Sequence, residues 1–257
     1  MARGGRVTET APVWVLTAFV VFSRIGACLL VMPGFSSPRI PVQVRLFIAV
    51  AVALALTPLQ IDIVKPILAD GAPVRLLRLM ASEMFIGVAI GILGRVFFIA
   101  LEFIGVAIAM SVGLSSNLGA PIEADETLPA LTTLMTLAAS ALMFLTDLHL
   151  EVFRALQSSY ANLPVTDGFI PQFALNQLVS KCNEAFLLAV RIGSPFMIFS
   201  LVVNVAMGLV GKLVPGIQTF FLATPFLLIG GLILLSIVMK PMMLLFIEAF
   251  GHFLVAG

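Results

Sequence analysis

Apolar residues fall into six long blocks along the chain, separated by shorter polar stretches. The blocks cover residues 13–32, 46–59, 76–110, 131–146, 178–210 and 220–253. Continuous apolar runs of this length are typical of buried or membrane-associated helices. The pattern therefore predicts an all-α protein built from about six apolar helical blocks.

The blocks differ in length, and several do not match the length of a simple membrane crossing. A simple crossing needs about 20 residues, whereas the second block is shorter and the third would form roughly 50 Å of helix. Glycine, proline or a charge interrupts the long blocks, for example at Gly193, Pro195 and Lys240-Pro241. Broken helices at membrane depth occur where they are buried in protein or line a cavity. We therefore expect bent helical hairpins that pack against other subunits.

Composition supports a membrane-associated chain. Hydrophobic residues make up 61% and charged residues 11% of 257 positions, against about 45–50% and 25% in soluble domains. The net charge of +1 and the lack of a basic run argue against a nucleic-acid partner. Cys28 and Cys182 lie in apolar stretches, so we expect small buried side chains and not a disulfide. Residues 1–12 are predicted to form a polar tail before an uncleaved first membrane segment.

Among the charged residues within or against the apolar blocks, where an unpaired charge is costly, five are candidates for buried contacts. They are Arg24, Arg95, Glu102, Glu184 and Arg191. The last four form two pairs with a spacing of seven and opposite order of sign, so cross-pairing between two helices is geometrically natural. We expect all five to be buried at helix or subunit contacts and not to be catalytic. An ion path is the alternative.

A stripe of small residues marks one face of the third block. Gly87, Gly91 and Gly94 follow one another at spacings of four and three, so another helix backbone can approach closely. The approaching helix could belong to this chain or to a different subunit, and the spacing alone leaves both possibilities open.

No enzyme motif and no cofactor site is apparent, and we expect a non-enzymatic protein. The sequence contains no HExxH, GxSxG or Walker motif. Asp147, His149 and Glu151 could suggest a metal, but on a helix His149 would point away from the other two. A polar helix end explains these residues better than a metal site.

The loop at 111–129 is the most suggestive polar segment. Its first half is small and polar, and its second half is acidic. It is either a solvated connection or a loop that lines or blocks an aqueous path. The residues assigned to such a gate are Ser111, Gly113, Leu114, Ser115, Ser116, Asn117 and Gly119.

Four stretches in chain order resemble the FliR family of flagellar and type III secretion export proteins. The first comprises Arg24-Ile25-Gly26, Pro33-Gly34-Phe35-Ser36, Ile40-Pro41 and Val44-Arg45. The second runs from Gly105 to Gly113-Leu114-Ser115, and the third comprises Phe144-Leu145-Thr146-Asp147-Leu148-His149, Ser159-Tyr160 and Leu163-Pro164. The fourth is Asn204-Val205-Ala206-Met207-Gly208-Leu209-Val210-Gly211-Lys212-Leu213-Val214-Pro215, with Phe220 and Pro225 after it. Four stretches in the family's order are more specific than any one alone.

The resemblance implies a subunit of a protein export gate in the bacterial inner membrane, at the flagellar basal body. Its partners would be FliP-like, FliQ-like and FlhB-like subunits, and unfolded substrates would pass through the assembled channel. Within a single subunit, residues 13–175 would form a FliP-like portion that contains the loop 111–129. Residues 176–257 would form a FliQ-like portion.

The same resemblance implies that the loop at 111–126 closes the gate as a central plug. Gly113 and Gly119 would give it mobility, and Ser115, Ser116 and Asn117 would face the channel. A small-molecule secondary transporter is the alternative function, since broken helices and intramembrane charges also suit that class.

Overall fold

Seven helices run through the residues that the computed structural model of the protein describes, and no strand occurs among them. The described residues are 4–37, 39–68, 73–114, 128–166, 168–214 and 219–256, with side chains described from residue 13 and not at 68, 219–222 or 256. The helices are α1 (Gly4–Val31), α2 (Val42–Leu68), α3 (Pro73–Ser111), α4 (Ala130–Leu145), α5 (Leu148–Asn162), α6 (Pro171–Leu213) and α7 (Thr219–Ala256). The predicted all-α class is confirmed.

The helices differ from the predicted blocks mainly at their ends. α1 begins at Gly4, inside the stretch predicted to be a polar tail, and α2 is longer than the predicted second block. α5 was not predicted at all. It is amphipathic, and Val152, Leu156 and Tyr160 are buried at a spacing of four. Because its other face is polar, it does not form a continuous apolar run in the sequence.

The predicted breaks within the long helices are wrong. Pro195 lies inside α6 and Pro241 lies inside α7, and both helices continue through them. Pro58 and Pro66 likewise lie inside α2. A proline removes one backbone hydrogen bond, but in apolar helices neighbouring packing and hydroxyls compensate. Thr57, next to Pro58, donates its hydroxyl to the carbonyl of Ala53 at 2.7 Å. These internal prolines are therefore tolerated within the helices and do not end them.

Several helices are long and apolar enough to cross a membrane. Five of the described helices meet this criterion, and the bent pair α4–α5, with an angle of 73° between its members, would make a sixth span. α3 and α6 contain 39 and 43 residues, so each is about 60 Å long at about 1.5 Å per residue. The hydrocarbon core of a bilayer is about 30 Å thick, and both helices exceed it.

The chain divides into two compact units. Unit 1 comprises Met1–Val96, Phe144–Lys181 and Phe253–Gly257, and unit 2 comprises Phe97–Met143 and Cys182–His252. The divisions fall inside α3, α4, α6 and α7. The predicted FliP-like and FliQ-like portions, 13–175 and 176–257, stay a prediction.

In unit 1, the glycine stripe of α3 packs against α1 of the same chain. A Cβ atom at Gly87 would fall on the carbonyl oxygen of Arg24, and one at Gly91 would lie 2.9 Å from the carbonyl oxygen of Cys28. Gly94 faces the Met32 side chain just after α1. The contacts advance in the same direction along both helices, so α1 and α3 run parallel here at a separation that only glycine permits.

The turn after α1 is anchored by an aromatic side chain. Gly34 has a φ of 84°, which lets the chain reverse, and Phe35 is buried. The Phe35 ring lies 5.5 Å from Phe144 and 5.6 Å from Phe153 between centroids. Such edge and tilted ring contacts stabilise the turn beyond simple burial.

Unit 2 has an aromatic core between α3 and α7. Phe98 packs edge-on against Phe246 and Phe250, at 5.2 and 5.6 Å between centroids. Phe97 adds a third edge contact to Phe250 at 6.1 Å. These side chains are almost fully buried and give unit 2 a core of its own.

The glycine stripe generates a stability prediction. Replacing Gly87 by alanine should lower the free energy of unfolding by about 1–3 kcal/mol or more, because the new methyl group overlaps the α1 backbone. Gly208→Ala is the matched control, since a Cβ there meets nothing within 4 Å. Thermal unfolding of both variants in detergent measures the difference. Equal stability of Gly87→Ala and the parent chain would mean that α1 and α3 do not pack this closely.

Candidate functional site

A buried arginine joins three helices of unit 1. Arg24 lies two turns before the end of α1, and its side chain is fully buried. Its Nε and Nη2 atoms donate to the two carboxylate oxygens of Glu83 on α3, at 2.7 and 2.8 Å. The carboxylate is also fully buried. This two-point geometry is the strongest arrangement available to an arginine and a carboxylate.

The same guanidinium also binds the end of α5. Nη1 donates to the hydroxyl of Ser159 at 3.1 Å, and Nη2 donates to the carbonyl of Leu163 at 2.9 Å. The plane of the guanidinium lies over the ring of Tyr160, with Cζ 3.9 Å from the centroid. A cation at a helix C-terminus is favourable because the carbonyl groups there carry partial negative charge, so Arg24 also caps α5.

The chemistry of this cluster is structural. Four of the five guanidinium N–H groups donate to protein acceptors, and both charges are neutralised within the cluster. The Ser159 hydroxyl donates to the carbonyl of Leu156 at 2.7 Å, so it is not poised as a nucleophile. The arrangement fixes the relative positions of α1, α3 and α5.

Sequence reasoning found Arg24 and missed its partner. Glu83 lies four residues before Gly87 in an apolar block, so it shares a helical face with the glycine stripe. Two features of the sequence could have indicated this pair. One is an acidic residue on the helical face that another helix approaches closely, and the other is an arginine within a different apolar block. The spacing rule applied to the other charges could not find it, because the pairing joins residues 59 positions apart.

The other four charges are placed differently from Arg24. Arg95 on α3 and both Glu184 and Arg191 on α6 are exposed in the chain, and Glu102 is half-buried. The chain alone does not bury these four side chains as it buries Arg24. Their burial at a subunit contact and the cross-pairing of the two sets stay predictions. Cys182, expected to be buried, is exposed as well, whereas Cys28 is buried.

The beginning of the predicted gate loop is a well-formed helix end. Gly113 has a φ of 77°, its N–H donates to Met110, and the N–H of Leu114 donates to Ala109 at 2.8 Å. This hydrogen-bond pair is the Schellman motif, in which glycine adopts the left-handed conformation that ends a helix. Gly113 thus ends α3, and its role in the mobility of the loop stays a prediction.

The rest of the predicted gate lies outside the described residues. This applies to Ser115, Ser116, Asn117 and Gly119. Ser111 is the last residue of α3, and its hydroxyl donates to the carbonyl of Ile108 at 2.8 Å.

Asp147, His149 and Glu151 form the corner between α4 and α5. Asp147 has a φ of 58°, a left-handed conformation that aspartate tolerates better than most residues. The His149 ring packs 5.4 Å from the ring of Phe144, and Glu151 pairs with Arg154. Among the described residues, no group of three or more His, Cys, Asp and Glu side chains could hold a metal ion.

Comparison with known proteins identifies the family. The family model "Bacterial export proteins, family 1" matches residues 15–253. The flagellar biosynthetic protein FliR of Caulobacter vibrioides is 32% identical over 243 residues, which cover 93% of this chain and 95% of that protein. The chain belongs to the FliR family of bacterial export proteins. FliR of Escherichia coli is 24% identical, covering 88% of this chain and 85% of the relative.

The FliR family match also extends to a second export system. The Yop proteins translocation protein T of Yersinia pestis is 24% identical over 215 residues, covering 82% of this chain and 80% of that protein. The match to the FliR family includes α2 to α6 in full, most of α1 and α7, and the whole Arg24 cluster. The resemblance seen in the sequence is therefore confirmed at the level of the family.

The Arg24 cluster generates a double-mutant prediction. Arg24→Met or Glu83→Leu alone should each lower the free energy of unfolding by about 3–5 kcal/mol, because either leaves a buried charge uncompensated. The double variant should recover most of that loss, since two apolar side chains replace the pair. Chemical or thermal unfolding of the three variants in detergent measures the coupling.

The exposed Glu151–Arg154 pair serves as the control for this cycle. Its arginine side chain is 71% exposed, so Arg154→Met should cost about 1 kcal/mol or less. If the double variant lost as much free energy of unfolding as the two single variants together, Arg24 and Glu83 would not act as a coupled buried pair.

Proposed function

We propose that the chain is a non-enzymatic subunit of a type III protein export gate. The observation that carries the proposal is the FliR-family match over 15–253, with relatives named for flagellar biosynthesis and for Yop protein translocation. The higher identity to a flagellar relative, 32% against 24%, favours a flagellar system. The gate would lie in the bacterial inner membrane at the flagellar basal body.

The surface of the chain supports a role in a larger assembly. The second half of α6 and the first half of α7 expose large apolar side chains, among them Ile198, Leu201, Val205, Leu209, Phe226, Ile229, Ile233 and Ile237. Monomeric soluble proteins rarely expose apolar patches of this extent. Lipid, other subunits or both must cover them.

The exposed charges indicate whether lipid or protein covers one part of this surface. Glu184 and Arg191 are seven residues apart on α6 and both are exposed, and a lipid-facing charge in an apolar helix is costly. A protein partner or an aqueous path would accommodate the exposed Arg191 guanidinium better than acyl chains would. We propose that FliP-like, FliQ-like and FlhB-like subunits cover this surface, and that unfolded substrates pass through the resulting channel.

The export-gate proposal predicts stable hetero-assembly. The affinity-tagged chain, expressed with untagged neighbours and extracted in mild detergent, should co-purify with FliP-like and FliQ-like polypeptides. The charge reversals Arg95→Glu, Glu184→Arg and Arg191→Glu should each reduce the recovered partners by about tenfold or more, because like charges would then meet at a desolvated contact. Quantitative mass spectrometry of the eluate measures the ratio of partner to bait.

Arg39→Glu is the matched control, since Arg39 is exposed in the turn before α2 and is not assigned to a contact. Recovery of the chain as a monomer or homodimer, with no partner in any extract, would contradict the export gate. That result would favour the alternative, a small-molecule secondary transporter.

The loop at 111–126 is proposed as the closing element of the gate. α3 ends in a hydrogen-bonded turn at Gly113, so the segment that follows starts from a defined point. Replacing 115–126 by a flexible Gly-Ser linker of equal length should make the assembled gate leaky to ions. Conductance of the complex in a planar bilayer measures the leak, and the same replacement at 69–72 serves as control. Unchanged conductance of the 115–126 variant would refute the plug role.

A further inference from the structure

One face of α7 is exposed along most of its length within unit 2. From residue 233 onwards its members follow one another at spacings of three or four, and one further member lies seven residues earlier, so they form a single stripe. Four of them are apolar and expose 57–67% of their surface, and two are charged and exposed. We name this stripe the α7 seam, and its residues are Phe226, Ile233, Ile237, Lys240, Leu244 and Glu248.

The core of unit 2 holds the seam on the outside. Phe246 and Phe250, on the other side of α7, pack against Phe98 of α3 at 5.2 and 5.6 Å between ring centroids. Leu244 and Glu248 each lie two residues before one of these rings, and residues two apart on a helix point in nearly opposite directions. The seam is therefore a preformed surface, because the core fixes the rotation of α7 about its axis.

Lipid is a poor cover for the seam. The candidate span Ala223–Val255 contains 33 residues, and a crossing of about 20 residues taken from anywhere within it includes Lys240. A charge that faces lipid is costly. Among the described residues, neither Lys240 nor Glu248 has an ion-pair partner, so the chain itself does not offset this cost.

Water is also a poor cover for the seam. Ile237 and Leu244 lie on either side of Lys240, and in an aqueous path their exposed side chains would keep apolar area in contact with water. A contact with another protein buries the apolar side chains and can pair the charges at the same time. Only a protein surface that combines apolar groups with opposite charges suits both kinds of side chain.

The length and spacing of the seam define the shape of that protein surface. At about 1.5 Å per residue, the seam from Phe226 to Glu248 is about 33 Å long, close to the thickness of about 30 Å of the hydrocarbon core of a bilayer. Rows of side chains at spacings of three and four pack into the grooves of another helix. Polar members within such a row fix the register and select the partner.

We propose that the α7 seam docks a membrane-spanning helix of another subunit, which carries an acidic side chain opposite Lys240 and a basic side chain opposite Glu248. Apolar side chains of that helix cover Ile233, Ile237 and Leu244. This docking rests on the export-gate function proposed above, and it assigns to one partner a defined surface and a defined charge pattern.

Photocrosslinking tests the identity of the occupant. A photoreactive phenylalanine analogue at position 237 or 244 of the tagged chain, co-expressed with its untagged neighbours, should crosslink to a partner polypeptide on illumination. The crosslinked peptide, identified by mass spectrometry, should lie in an apolar stretch of about 20 residues that contains both an acid and a base. The same analogue in place of Arg39, which is exposed in the turn before α2, is the control and should give no crosslink to that stretch.

Charge variants test the register of the contact. Lys240→Glu and Glu248→Lys should each lower the recovery of the crosslinked partner by about tenfold or more, since like charges would then meet at a desolvated contact. Lys240→Arg keeps the charge and should recover the partner as the parent chain does. Thermal unfolding of the isolated tagged chain should be the same for the parent and all three variants, which separates a loss of docking from a loss of folding.

Two sets of results would overturn the proposal. One is a pattern of crosslinks from both seam positions to lipid only, to a second copy of this chain, or to no polypeptide at all. The other is full recovery of the partner by both charge reversals. If the parent chain still co-purifies with other subunits in these cases, the export-gate function stands and the seam alone is wrong. If the parent chain recovers no partner, the export gate and the seam both fail.

Discussion

The buried ion pair between Arg24 and Glu83 is the constraint on which the rest of unit 1 depends. A charge cannot be left alone in an apolar interior, so α1 and α3 must meet where these two side chains meet. The glycines beside the pair permit the necessary closeness of the backbones. Because the same guanidinium also holds Ser159 and the carbonyl of Leu163, the end of α5 is positioned by the same interaction.

Charged side chains are buried and paired in the interior of unit 1, whereas others are exposed on the surface of the chain. Inside unit 1, the Arg24 charge is neutralised and almost saturated with hydrogen bonds. On α3 and α6, Arg95, Glu184 and Arg191 stay exposed among exposed apolar side chains. Such a surface is unfavourable in water because of its apolar area, and unfavourable in lipid because of its charges. This combination supports the proposal that other subunits complete the structure.

Much of the fold could be predicted from the chain because apolar length is a local signal. All six predicted blocks are helical, yet the breaks expected at Pro195 and Pro241 were wrong, since a proline's effect depends on its surroundings. α5 was not predicted from the sequence because only one of its faces is apolar. Within the site, Arg24 was singled out as a charge in an apolar run. Glu83 is also a charge in an apolar block but was overlooked, and nothing local in the sequence joins it to Arg24 on another helix.

The sequence by itself determined the class of the protein, its family and the helical face on which a close neighbour would pack. These depend on composition, on motif order and on spacings of three and four, which are all properties of a single segment. Only the tertiary structure decided that the neighbour of the glycine stripe is α1 of the same chain. It also decided which of the five charges predicted to be buried is buried within the chain, and that Gly113 ends a helix. The reason is physical: pairing and burial are set by distances between segments, and the distances follow from how all helices pack together.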